Sequence, residues 1–73
     1  MRMITASQCR AARGLLNWTQ EDLAEKARVG VVTIRQFERG KTEPQRATLV
    51  VMQDAFEKAG VEFTDNDGVS RRK

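Results

Sequence analysis

The stretch "TQEDLAEKARVGVVTIRQFERG", residues 19–40, decides the fold. Its apolar residues fall at Leu23, Ala24, Ala27, Val29, Ile34 and Phe37. Leu23, Ala24 and Ala27 recur at helical spacing and make one stripe. Ile34 and Phe37 sit three apart and anchor a second helix. Between the two runs, "RVG" leaves room for only a tight turn. Thr19 is an N-cap residue, and Gln20, Glu21 and Asp22 fill the first turn, where acids complement the helix dipole. Gly40 is a C-terminal stop for the second helix, about Val31 to Arg39.

Two short helices packed across a tight turn need this residue set. A small residue, Ala24, lies where they cross, Val29 lies in the turn, and two apolar side chains hold the second helix. The spacing over 20–39 therefore predicts a helix-turn-helix. As bare hydrophobic spacing the pattern is only moderately specific, because other helical hairpins share it.

Upstream, "TASQCRAARGLLN" opens with a capping-box signal, Thr5 followed by Gln8. Cys9, Ala12, Leu15 and Leu16 form its expected core stripe, so Cys9 reads as a small buried hydrophobe. Trp18 precedes the Thr19 cap and is placed to staple onto Leu23. Downstream, "GKTEP" is a loop ending at Pro44. A fourth helix then runs to about Ala59, with Leu49, Met52, Phe56 and Ala59 on one face. In "VEFTDNDGVSRRK", Val61 and Phe63 alternate with polar residues and "DNDG" signals a turn. This reads as a strand, a short hairpin or a loosely ordered tail.

The chain has 73 residues, 40% hydrophobic and 32% charged, the composition of one small globular domain. There is no His, and Cys9 is the one Cys. His-based acid–base catalysis, Cys-rich zinc sites and an internal disulfide are excluded. No nucleophile–base pair, phosphate-cradling glycine loop or metal-ligand cluster is visible, so no enzyme and no cofactor is expected. Neither a signal peptide nor a membrane span is visible, and a soluble, cytoplasmic protein is expected.

The net charge of +3 is unevenly spread. Residues 28–46 carry Arg28, Arg35, Arg39, Lys41 and Arg46 against Glu38 and Glu43, whereas residues 47–68 are acidic. One basic segment followed by an acidic helix suits a polyanion-binding face on one side. With Ile34 and Phe37 facing the core, helical geometry puts Val32, Arg35, Gln36 and Arg39 on the opposite side and Val31 at the margin. Arg pairs bidentately with guanine and Gln with adenine, and Val32 is apolar enough to touch a thymine methyl. The same residues would also serve as an ordinary solvated face.

"WTQEDLAEKA" with "TIRQFERGKTEP" resembles the lambda-repressor and Cro-like helix-turn-helix family, often called the XRE family. The resemblance covers about residues 5 to 60, and the ending "AGVEF…DGV" is similar to a tail of small bacterial or phage-type members. It implies an all-α, compact bundle of four or five helices, here with a short C-terminal strand or hairpin. Residues 1–60 would form the DNA-binding domain and 61–73 a C-terminal strand or tail; the alternating "VEFT" segment and the short core suggest dimerisation through that strand or through the fourth helix. The implied function is a transcriptional regulator, such as a repressor, that binds a double-stranded operator as a homodimer.

By position, Val31, Val32, Arg35 and Gln36 would face the bases. Thr19, Gln20, Arg39 and Lys41 would meet the DNA backbone. For Arg39, pairing with Glu43 is the alternative. Arg13 and Glu38 resemble a salt bridge tying the first helix to the third, unless the pair is exposed and nearly worthless.

Two departures stand out. Arg28 occupies the usual turn glycine, and Gly30 replaces the usual Ser or Thr cap. Gly30 is expected to take up some of the strain. The alternative function is a protein-interaction module on the same fold, such as an antitoxin or anti-activator, which would use Val31, Val32 and the acidic stretch from Asp54 to Asp67.

Overall fold

The computed structural model describes residues 3–64 and 66–72. Asp65, which opens the expected "DNDG" turn, and Lys73, which ends the basic tail, lie outside the described residues, as do Met1 and Arg2. The element order is α1 (Ala6–Leu16), α2 (Gln20–Ala27), α3 (Val31–Glu38), α4 (Arg46–Lys58), β1 (Val61–Phe63) and β2 (Val69–Arg71).

The helix starts follow from side chains that replace missing intrahelical partners. Thr5 Oγ1 accepts from the Gln8 backbone N–H at 3.1 Å, and Gln8 Oε1 accepts from the Thr5 N–H at 3.0 Å. Thr19 and Asp22 close the same reciprocal box at α2, at 3.0 and 2.9 Å. α3 has no side-chain cap, because its N-cap is Gly30.

The turn between α2 and α3 carries its strain at one residue. Arg28 is left-handed, with φ 59° and ψ 47°. Gly30 lies at φ −63° and ψ 139°, an extended N-cap conformation open to any residue. The expectation that Gly30 shares the strain is therefore corrected. The Val29 N–H closes the end of α2 on the Ala24 carbonyl at 3.0 Å, which fixes the left-handed step at Arg28.

The core joins all four helices and the hairpin: Cys9 and Ala12, Leu23 and Ala27, Ile34 and Phe37, Leu49, Met52 and Phe56, and Val61. Leu15 is corrected from the expected stripe, since it is 38% exposed. The buried face of α1 is centred between Cys9, Ala12 and Leu16, which places Leu15 roughly 90° to one side. Trp18 stacks on Phe56 of α4 with centroids 5.6 Å apart, and Phe56 meets Phe63 edge-on at 5.9 Å. The Trp18 ring thus has a partner distant in sequence, and Lys26 Nζ lies 5.9 Å from its centroid.

β1 and β2 pair as an antiparallel hairpin, with Val61 opposite Arg71 and Phe63 opposite Val69. An isolated two-stranded hairpin is marginal in water. Here Val61 is fully buried, and Gln8 Nε2 donates to the carbonyls of Thr64 at 3.0 Å and Gly68 at 3.1 Å. The Thr5 hydroxyl donates to Asp67 Oδ1. The hairpin therefore shares the helical core, and no break in packing falls at residue 60.

Two stability changes follow. Gln8→Ala removes one side chain that serves both a helix cap and the hairpin turn. It should lower unfolding free energy by about 1–3 kcal/mol in urea titrations and speed exchange of the Thr64 amide. Arg28→Gly relieves a left-handed side chain and should raise stability by about 1 kcal/mol, less the added entropy of the unfolded chain. An unchanged or lower denaturation midpoint would contradict it.

Candidate DNA interface

α3 has two chemically distinct sides. Ile34 and Phe37 point into the core. Val32, Gln36 and Arg39 are exposed, with Val32 at 54%, while Val31 and Arg35 are half-buried at the edges. Among the described residues, no ion pair or side-chain hydrogen bond engages Arg35, Gln36, Arg39 or Lys41. The alternative pairing of Arg39 with Glu43 is thus not formed, and both side chains remain exposed.

The last residue of α3, Glu38, is buried and organises the neighbouring elements. Arg13 Nη2 donates to its Oε1 at 2.6 Å and Arg13 Nε to its Oε2 at 2.7 Å, a bidentate pair between side chains 19% and 3% exposed. The Cys9 thiol donates to Oε2 at 3.0 Å, and Gln20 Nε2 donates to Oε1 at 3.1 Å. Arg10 Nη1 donates to the Glu38 backbone carbonyl. Arg13 Nη1 also reaches the Trp18 carbonyl at 3.1 Å, in the turn leading to α2.

Burial pushes the Glu38 carboxyl upward. Hydrogen bonds from Arg13, Cys9 and Gln20 and the charge of Arg13 outweigh that and hold it below the ordinary range. The bond to Glu38 raises Arg13 further. Cys9 is pushed far up, first by burial and then by its bond to Glu38, so it stays a thiol.

This arrangement changes what Gln20 offers. The sequence placed its side chain at a DNA phosphate, but its amide is turned inward onto Glu38. What remains at the surface is the start of α2, with backbone N–H groups not bonded within the helix. Thr19 is exposed, and its Oγ1 accepts from the Asp22 N–H while its own O–H is free to donate. The contributions of Cys9 and Arg10 to the Glu38 cluster were not foreseen. Their only trace in the sequence is that Cys9, Arg10 and Arg13 lie within one turn of each other on α1.

The helix-turn-helix family model matches residues 10–63. The chain belongs to the XRE, lambda-repressor-like helix-turn-helix family. No curated protein matches it. As a member, it is a DNA-binding helix-turn-helix regulator. No described helix is long and apolar enough to cross a membrane.

In this XRE-family fold the Glu38 cluster fixes α3 against α1 and α2. Removing the carboxylate leaves Arg13 partly buried without its partner, and Glu38→Ala should destabilise by about 3–5 kcal/mol. The pH dependence has a definite sign. The folded carboxyl titrates below the unfolded value of about 4.3, so its stabilisation is complete above that value and lost as pH falls through the folded one. Urea midpoints of wild type and Glu38→Gln should differ most above about pH 5 and converge only as pH falls through the lowered folded value.

Proposed function

We propose that this regulator occupies operator DNA sequence-specifically as a homodimer, with α3 in the major groove and the start of α2 at a phosphate. The observation that carries this reading is the outward side of α3. Val32, Arg35, Gln36 and Arg39 present donors and an apolar edge with no competing partner within the described chain. The one acid of α3, Glu38, is neutralised inside by Arg13, so it does not oppose phosphate.

The roles divide by chemistry. Arg35 and Gln36 carry the bidentate donors and acceptors that distinguish guanine and adenine. Val32, with Val31 beside it, supplies an apolar edge for a thymine methyl. Arg39 and Lys41, with Thr19 and the N–H groups at the start of α2, hold the sugar-phosphate backbone. Catalysis has no part in this function; occupancy of the operator represses or locally activates transcription.

A second reading draws on Val32, an aliphatic side chain more than half exposed at the centre of the reading face. On that reading α3 meets a protein rather than DNA. The two are separated by selecting bound fragments from random duplex DNA and titrating the winners at two salt concentrations. A symmetric motif with half-sites about one helical turn apart supports the operator reading. Arg35→Ala and Gln36→Ala should each weaken specific binding by about 1–3 kcal/mol. Val32→Ser should relax preference at one base pair and leave the salt slope unchanged. Sequence-blind, wholly salt-driven binding that ignores all three substitutions would refute base reading.

A further inference from the structure

α4 carries a surface that the core does not use. Its inner side holds Leu49, Met52 and Phe56, and its outer side leaves Val50 at 45% and Val51 at 42% exposed. The flanks are charged in opposite senses: Arg46 stands in the first turn, and Asp54 and Glu57 lie two and three turns on.

Next to Val50 is a cleft of about 160 Å³ lined by Met3, Val50, Gln53, Asp54 and Glu57. Its chemistry suits a guanidinium. Asp54 is exposed, and among the described residues its one ion pair is an i,i+4 contact to Lys58 at 3.1 Å. Gln53 is 5% exposed, and its Oε1 is buried without a hydrogen-bond partner among the described residues. Its Nε2 donates to Glu57 Oε2 at 3.2 Å, which leaves the carbonyl oxygen as an unused acceptor. A buried acceptor without a donor is uncommon in native folds.

Arg46 has no ion pair among the described residues and lies one turn before Val50 on the same flank of α4. Asp54 lies one turn after Val50 on that flank. A two-fold axis passing beside Val50 pairs residues equally spaced before and after it, as antiparallel helices require. That axis sets Val50 against the partner's Val50. It also carries Arg46 of each copy to the partner's Gln53 and Asp54, where the cleft lies. The patch is complementary to itself in charge, and Gln53 Oε1 adds an acceptor at the cleft.

We propose that α4 is the face on which two copies of this chain meet, with Arg46 of each copy seated in the cleft beside Val50 of the other. This rests on the homodimer reading above and names its interface. It also separates duties within the basic segment: Arg35, Arg39 and Lys41 stay free for DNA, while Arg46 belongs to the dimer.

Sedimentation equilibrium of the full chain without DNA tests it, with circular dichroism confirming that each variant is folded. The wild type should show a monomer–dimer equilibrium. Arg46→Glu and Asp54→Arg should each weaken association by about tenfold or more, because each sets like charges together at both symmetric contacts. The double variant Arg46→Glu/Asp54→Arg exchanges the two charges and should regain most of the lost association, a rescue that simple loss of stability does not produce. Val50→Asp should abolish association.

A dimer indifferent to both reversals would overturn the α4 interface while leaving the homodimer reading intact. A chain that stays monomeric at every concentration reached would overturn it as well, and the half-site symmetry of the selected DNA then decides the homodimer reading separately. Capture of a different protein on this face, without self-association, would also refute it.

Discussion

The placement of α3, and with it the outward side that carries Val32, Arg35, Gln36 and Arg39, depends on the Glu38 carboxylate. It is a buried charge at the end of α3, a position where both burial and the helix dipole disfavour an anion. It is tolerated because donors from α1 and α2 converge on it: Arg13 through two nitrogens, the Cys9 thiol and the Gln20 amide. Each donor comes from an element that must be correctly placed for α3 to present its outer side. A displaced α3 would leave Glu38 under-satisfied, so the cluster penalises alternative packings more than it adds net stability. The Arg10 contact to the Glu38 carbonyl extends the same clamp to the backbone at the end of α3.

This explains which parts of the fold were legible in the sequence. The caps at Thr5 and Thr19, the stop at Gly40 and the anchors Ile34 and Phe37 act over a few residues, and local spacing records them. The Arg13–Glu38 contact joins residues 25 apart, and only the family resemblance suggested it. Gln20 was placed at a phosphate by the family resemblance; its inward turn depends on where Glu38 lies in space. The stacking of Trp18 on Phe56 and the use of Gln8 to hold the Thr64 and Gly68 carbonyls span most of the chain. No periodicity carries such information. Leu15 failed for a smaller reason, because a helical stripe predicts direction but not its width.

The hairpin is best understood as a lid on a core too small to close with helices alone. A domain of this length buries only about 60% of the surface of its unfolded chain. Val61 and Phe63 add apolar area beside Phe56, and Gln8 turns the hairpin's exposed carbonyls into partners for α1. The sequence left a short hairpin packed on the helices, a strand paired with another chain and a loosely ordered tail as alternatives for this segment. The hairpin is the one formed, and its short strands spend their apolar side on their own helices.

The placement of charge then follows a division of surfaces. α3 keeps its one acid inside, paired with Arg13, and leaves Arg35, Arg39 and the nearby Lys41 unpaired outside. α4 does the reverse, with Asp54 and Glu57 toward its second half and Arg46 at its start. A uniformly basic surface would bind DNA without register, because phosphate attraction carries no sequence information. On the proposed reading, confining free cations to one side and a dimer face to another lets one short chain address DNA with α3 while α4 sets the distance and symmetry between two copies of it. Operator palindromy is the DNA counterpart of that symmetry. On that reading, specificity in so small a protein depends as much on how Glu38 ties α3 in place as on the side chains proposed to touch bases.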